Sequence, residues 1–404
     1  MLGNLDNRRP VKIIGGGIAG LTLAYRLKQS GINFTLYEKD KVGGKIQTMM
    51  TDLGPVESAA STLYLNRPAV EFLHELDLEA VHTPSNLKRL VLNERGFTSP
   101  FSASLMFRIM TGLHKSPPHL SPDLSVEEAF LPLLGKKYVD EVLSPALQGI
   151  FGAEAKDLHF LSLFPVFEGK ESHHYLSLLR TLKANIKSDQ DPTNKGSVGL
   201  RGGMHVLIEK LRQEVSDNIQ ISDEKISSED NLAICTGSQD AADLMRNIAP
   251  DISDQLRRIQ YAPVSSFTIF TKRPLPDLAG AFGVLLPQKY GHSILGIINQ
   301  SALFPVNYPK ASCYRLICKG EITEKENLLS ELRKVTSGIG PDNIISSYLT
   351  SWKSGLPLYN KERYEAVKNI ETLLKGKKGL LFFGNYTNGI SLRSMIAQTR
   401  TYHL

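Results

Sequence analysis

The sequence predicts an α/β protein: a parallel-sheet nucleotide-binding unit assembled from separated parts of the chain, with a helical segment and a mixed-sheet segment between those parts. Three observations carry this. A short β-rich run, Val11 to Ile14, passes through Gly15 to Gly17 into a helical stretch, Ile18 to Gln29, and a second run, Phe34 to Tyr37, follows. A last apolar run, Leu380 to Phe383, ends at Gly384-Asn385 ahead of a helical stretch, Ser391 to Thr399. Between them, residues from about 100 to 190 read as irregular helices broken at Pro117-Pro118, and Ser266 to Cys318 alternates strand-like runs with turns.

The first unit is justified locally. Val11 to Ile14 suits a buried parallel strand. Leu21, Ala24 and Leu27 recur at helical spacing, and Gly31 closes that helix. Further on, Arg67 to Leu78 and Arg201 to Val215 read as helices, and Leu232 to Thr236 as a short strand ending at Gly237. Ser188 to Gly196 is polar and turn-rich, a loop by composition. These boundaries divide the chain into 1–82 with 197–264 and 372–404 as the nucleotide-binding domain, 83–196 as a helical domain, and 265–371 as a mixed-sheet domain.

Composition removes several function classes. The 404 residues are 41% apolar and 22% charged, an ordinary globular profile. No run reaches the ~18 to 20 apolar residues of a membrane-spanning helix. Met1 to Pro10 is polar and lacks a signal-peptide core, so a cytoplasmic location is expected. The net charge of +6 is spread along the chain without a basic stripe, which argues against nucleic acid and leaves anionic surfaces or acidic small molecules as partners. Cys235, Cys313 and Cys318 fit neither a zinc site nor a disulfide framework and are expected as buried thiols. His173-His174 does not make a metal site, because adjacent residues do not share a helix face.

Chemistry enters at the first turn. Gly15-x-Gly17-x-x-Gly20 leaves a strand and opens a helix. The first glycine permits the tight turn, the second admits a pyrophosphate to the backbone, and the third lets helix and strand pack. Ile18 and Ala19 begin the helix, whose N-terminal N–H groups and dipole favour phosphate. Glu38, 18 residues after Gly20, stands where a carboxylate accepts ribose hydroxyls, with Lys39 beside it. Gly43-Gly44-Lys45 completes a Glu-x4-Gly-Gly-Lys extension that resembles the second signature of amine-oxidase-type FAD enzymes, and that resemblance implies FAD as the dinucleotide. An acidic ribose-binding residue argues against NADP. Leu380 to Ser391 then reads as a strand and turn before a helix whose N-terminus could face the flavin.

Taken together these residues resemble the oxygen-dependent protoporphyrinogen oxidases, flavoproteins of late heme biosynthesis in the FAD-dependent amine oxidase superfamily. The likeness runs through nearly the whole chain. It includes Leu53-Gly54-Pro55-Val56-Glu57, Pro145 to Gly152, Gly202-Gly203-Met204, Tyr261 to Val264, Gly283 to Pro287 and Ser301 to Pro305. Gly384-Asn385-Tyr386 with Gly389-Ile390-Ser391-Leu392 is the most telling. The resemblance implies FAD held by Gly15, Gly17, Ile18, Ala19, Gly20, Glu38, Lys39, Gly43, Gly44, Lys45, Gly54, Pro55, Val56, Glu57, Ile226, Gly384, Asn385, Ile390, Ser391 and Leu392. It implies protoporphyrinogen IX as substrate, with coproporphyrinogen III as the alternative, its propionates meeting Arg89 with Lys88 close by, and dioxygen as acceptor giving hydrogen peroxide; it makes 83–196 a substrate or membrane-facing domain and 265–371 a substrate-binding domain. It implies no catalytic side chain, since the flavin carries the hydride. Peripheral attachment to the inner face of a membrane through Phe101 to Leu113, and a homodimer, are further expectations. Three departures stand out: the segment from Ile219 to Thr236 is too short for the family's β-meander, no arginine precedes Gly54-Pro55, and the chain stops soon after the closing helix. Two other readings stay open: another flavoenzyme on this fold, such as an amine oxidase or carotenoid desaturase, and a non-catalytic binding homologue.

Overall fold

The computed structural model describes residues 1–6, 8–115, 123–169, 174–189, 196–387 and 389–400. Pro117-Pro118, His173 and most of the 188–196 loop lie outside them. A six-stranded sheet runs in the order Leu2–Asn4, Leu380–Phe382, Leu232–Ile234, Val11–Ile14, Phe34–Glu38, Ile219–Ile221. All neighbours are parallel except the antiparallel edge strand Leu2–Asn4. The run Val11–Ile14 is apolar because both of its faces are covered: helices Ile18–Gln29, Arg67–Glu75, His205–Glu214 and Leu392–Arg400 pack on one side, and Ser238–Met245, Pro250–Arg257 and Lys361–Leu374 on the other. Ile18–Gln29 is buried on most of its surface, including Leu21, Leu23, Ala24 and Leu27. The sequence reading ended the mixed-sheet segment at 371, yet Lys361–Leu374 packs Ala366, Val367 and Ile370 onto this first sheet.

A seven-stranded sheet follows the order Ile344–Pro357, Tyr261–Thr271, Ser312–Lys319, Ile294–Asn299, Ala281–Leu285, Lys88–Asn93, Gly96–Thr98. Its pairs are antiparallel except that of Ala281–Leu285 with Lys88–Asn93. Residues 88–98 were expected with the helical segment; they are strands because Leu90 and Leu92 alternate into this sheet's core. Helix Lys325–Val335 covers that face with Leu328, Leu329 and Leu332. A small third sheet joins Leu63–Tyr64, Ser197–Leu200 and Ala80–His82. The helical segment forms its own cluster around Val126, Phe130, Phe160 and Leu178, which also takes in Tyr359 and Ile390. The three cysteines are buried free thiols, as expected.

Candidate nucleotide and substrate site

The strand Val11–Ile14 stops at Gly15, whose φ of +106° is the left-handed conformation that glycine tolerates. Gly20 sits against it so closely that a Cβ there would lie 1.9 Å from the Gly15 carbonyl oxygen. Gly17 is different: a Cβ on it would meet only the Gly44 Cα, at 4.0 Å. The space beside Gly17 is therefore open. Gly17 caps the helix Ile18–Gln29 without any side-chain hydrogen bond to the helix N–H groups. Ile18 and Ala19 are buried at that end, where the first-turn amides await an acceptor. This is a cradle suited to a dinucleotide pyrophosphate.

Glu38 ends the neighbouring strand with its carboxylate over the turn. Its Oε2 accepts from the Gly16 N–H at 2.7 Å and its Oε1 from the Asp40 N–H at 3.1 Å. Lys39 is exposed next to it. Gly43 and Gly44 both have positive φ, and the Gly43 N–H donates to the Gly16 carbonyl at 2.8 Å, so the second glycine turn is built against the first. Glu38→Ala is expected to weaken FAD binding by about tenfold with little loss of fold, because exchangeable ribose hydrogen bonds are removed; equilibrium titration of the apoprotein checks this.

Lys45 was expected to face a phosphate. Its Nζ instead donates to the carbonyls of Ser354 and Gly355, the latter at 2.9 Å, and lies 5.5 Å from the Tyr261 ring centre. Burial lowers its pKa from 10.5 to about 8, with Asp240 opposing. The unfolded chain then binds more protons than the folded one between those values, so stability gains with rising pH. Wild type should therefore gain stability relative to Lys45→Met between pH 8 and 10.5, measured by denaturant unfolding.

The segment Gly54–Glu57 pairs with Thr48–Thr51 and is fully buried. Its side chains point inward. Val56 joins Phe270, Phe304 and Tyr308, and the Tyr308 hydroxyl donates to the Pro55 carbonyl at 3.0 Å. Gly54 has φ +132°, and a Cβ there would lie 2.4 Å from the Asn307 carbonyl oxygen. Glu57 accepts from the Met204 N–H and the Thr48 hydroxyl, both at 2.7 Å. Burial pushes its pKa up, against the pull of Thr48, Met204 and Arg315. Only the backbone of this turn is left to face a cofactor.

Beyond the edge strand Ile219–Ile221, residues 222–231 form a loop without strands, so no meander stands there. Lys12 pins the loop through Glu224 at 2.9 Å and Asp230 at 3.3 Å, and Ile226 packs on the second face of the nucleotide sheet. At the other end, Gly384 follows the closing strand, the Tyr359 hydroxyl donates to the Asn385 carbonyl at 2.7 Å, and the Gly389 N–H donates to that hydroxyl at 3.1 Å. Ser391 accepts from the Ser394 N–H and starts the helix Leu392–Arg400. That helix packs against Ile18–Gln29, while half-buried Ile390 reaches the helical cluster. The two ends of the chain thus meet at one cradle.

Sequence reading missed the polar groups behind this closing turn. Arg363 is buried, its Nε donates to the Tyr386 carbonyl at 2.9 Å, and its guanidinium lies 4.2 Å from the Tyr359 ring centre. On a helix of alternating charge it reads as a solvated surface residue, and nothing local marks it otherwise. Lys88 and Arg89 are exposed on the seven-stranded sheet, with Arg89 stacked 5.0 Å from the Phe282 ring centre. Among the described residues no cluster of three or more His, Cys, Asp or Glu is placed to hold a metal, and no helix is long and apolar enough to cross a membrane.

Comparison with known proteins agrees with this geometry. Residues 13–76 match the family described as NAD(P)-binding Rossmann-like domain. The chain is 25% identical to protoporphyrinogen oxidase 2, chloroplastic/mitochondrial, of Arabidopsis thaliana, over 96% of this chain and 91% of that protein. It is 23% identical to coproporphyrinogen III oxidase of Propionibacterium freudenreichii, over 96% and 89% of the two chains. Its fold matches the crystal structure of a putative protoporphyrinogen oxidase from Exiguobacterium with a TM-score of 0.76, covering 98% of each chain at 16% identity.

Proposed function

We propose that the chain, which is similar over nearly its full length to protoporphyrinogen oxidases, is a member of that family within the FAD-dependent amine oxidase superfamily, and that it oxidises a porphyrinogen to the porphyrin in heme biosynthesis, with FAD as cofactor and dioxygen as acceptor. Protoporphyrinogen IX is the substrate expected from the sequence. Coproporphyrinogen III is the second reading, supported by the full-length likeness to a coproporphyrinogen III oxidase. The observation that carries the proposal is the split cradle: the open space at Gly17, the uncapped helix start and the closing helix Leu392–Arg400 packed directly against it.

FAD would supply the hydride acceptor for a methylene bridge of the macrocycle and pass the electrons to dioxygen as hydrogen peroxide. The protein's part is binding and orientation. Gly15, Gly17 and Gly20 with the amides of Ile18 and Ala19 hold the pyrophosphate, Glu38 the ribose, and the loop at Ile226 borders the adenine. Gly43, Gly44 and the backbone of Gly54 to Glu57 flank the middle of the cofactor, and Gly384, Asn385 and Ile390 to Leu392 meet the flavin end. Arg89, with Lys88, receives a substrate propionate at the rim of the sheet. Phe101, Met106, Phe107 and Met110 are each more than half exposed on and beside the helix Ala103–Gly112, an apolar patch through which the protein would rest on a membrane.

The test is direct. Protein reconstituted with FAD is given protoporphyrinogen IX or coproporphyrinogen III, and porphyrin fluorescence and peroxide are followed. Stoichiometric peroxide with porphyrin supports the reading. An FAD-loaded protein inert to both overturns it, and a protein that binds no FAD points to the non-catalytic alternative.

A further inference from the structure

The face of the seven-stranded sheet opposite helix Lys325–Val335 is turned to the nucleotide-binding unit. Ser266 donates to the Glu57 carbonyl, and Trp352 Nε1 to the Ser58 carbonyl at 3.1 Å. Six residues on this face form one row, each the cross-strand partner of the next: Tyr348, Thr268, Arg315, Ile298, Gly283 and Arg89. Directly paired residues share a face, so the two arginines stand on the same surface. Three strand spacings separate them, about 14 Å at roughly 4.8 Å each. Between them lie half-buried Ile298 and Gly283, where any Cβ would come within 2.3 Å of the Ile297 carbonyl oxygen. The stretch of the row from Arg315 to Arg89 is therefore a short apolar ledge, partly packed by the cluster around Phe304 and Tyr308, with a cation at either end.

Arg315 is the unusual member. It is only 5% exposed, yet it makes no ion pair among the described residues. Its Nε donates to Ser266 Oγ at 2.7 Å, and its two terminal nitrogens have no hydrogen-bond partner there. Glu57 is the nearby carboxylate, but its oxygens are taken by the Met204 N–H and the Thr48 hydroxyl. Neither terminal nitrogen is among the fully buried atoms that lack a partner, so the guanidinium keeps an opening through which a ligand's carboxylate could meet it with two parallel hydrogen bonds.

We propose that Arg315 is a second carboxylate-binding residue at the inner end of this ledge, opposite Arg89, so that the chain takes a flat macrocycle bearing carboxylates on opposite edges. This rests on the porphyrinogen reading above and selects within it. Coproporphyrinogen III carries a propionate on every pyrrole and can reach both arginines at once. Protoporphyrinogen IX carries its two propionates on one edge and can satisfy only one end.

The FAD-loaded wild type, Arg315→Met and Arg315→Lys are compared for kcat and KM on both porphyrinogens, and for equilibrium binding of coproporphyrin III and protoporphyrin IX. Circular dichroism confirms that each variant is folded. Wild type is expected to bind coproporphyrin III about tenfold more tightly than protoporphyrin IX. Arg315→Met should raise KM for coproporphyrinogen about 10- to 100-fold, the range of a lost charge-assisted hydrogen bond, with kcat and the protoporphyrinogen KM little changed. Arg315→Lys should recover part of the loss. If Arg315→Met leaves both KM values alone, or shifts both equally, Arg315 is a structural cation balanced by Glu57 and the inference fails. If Arg315→Met does not fold, the wild-type binding ratio decides: equal affinity, or a preference for protoporphyrin IX, overturns it. A wild type inert to both porphyrinogens but still preferring coproporphyrin III in binding would sink the oxidase reading and leave the carboxylate site standing.

Discussion

Gly20→Ala should destabilise the protein by about 3 kcal/mol, whereas Gly17→Ala, three residues away in the same turn, should leave stability within about 0.5 kcal/mol and abolish tight FAD binding. The contrast follows from what surrounds each Cα. At Gly20 an added methyl would stand 1.9 Å from the Gly15 carbonyl oxygen, and Gly15 directly follows a strand paired on both sides and is itself tied down by its N–H bond to the Tyr37 carbonyl at 2.8 Å, so it cannot give way. Relief requires the helix Ile18–Gln29 to lift from the sheet, disturbing the packing of Leu21, Leu23 and Leu27. At Gly17 the backbone is extended, with φ −73° and ψ −177°, a conformation any residue adopts, and the methyl would enter open space. That space is where a pyrophosphate must approach the amides. The affinity loss should be tenfold or more, about 1.4 kcal/mol at least. Denaturant unfolding of the two apoproteins and FAD titration of Gly17→Ala test both halves. A Gly17→Ala protein that binds FAD as wild type does would remove the phosphate from this turn.

The second large effect is expected at Glu57. Glu57→Ala should cost about 3 kcal/mol, because three groups lose their partner at once. The Met204 N–H at the start of helix His205–Glu214 is left unsatisfied, Thr48 loses its acceptor, and the buried Arg315 loses its nearest negative charge. Glu57→Gln should cost less, since an amide oxygen still accepts from Met204. Unfolding free energies of the pair measure the difference; equal costs would show that the charge near Arg315 is the dominant contribution.

The fold class and the glycine turn that opens the first helix were legible because their determinants are local. Gly15, Gly17 and Gly20 each answer a steric demand imposed within one strand-turn-helix unit, and Val11 to Ile14 is β-rich because both faces of its sheet are covered. The closing segment was legible too, since Leu380 to Phe383 and Gly384 carry the same pattern. Lys45 shows where that kind of reading stops. Its position beside a glycine pair suggests a phosphate, but its side chain is long, and the carbonyls of Ser354 and Gly355 come from a strand some three hundred residues away in the chain. Lys88–Asn93 was misplaced for a related reason: a strand whose partner is Ala281–Leu285 has no local signal to say which sheet it joins.

By itself the sequence determined that a dinucleotide cradle is made from the first and last parts of this chain, because backbone conformation and helix-end polarity are properties of a few neighbouring residues. Only the tertiary structure decided what the charges do. Arg315 and Arg89 share one row because four strands pair in a particular register, and Glu57 turns inward because a helix start meets it there. Register and burial arise from contacts distant in sequence, and a lysine or arginine reads the same on the page whether it ends in water or in the core.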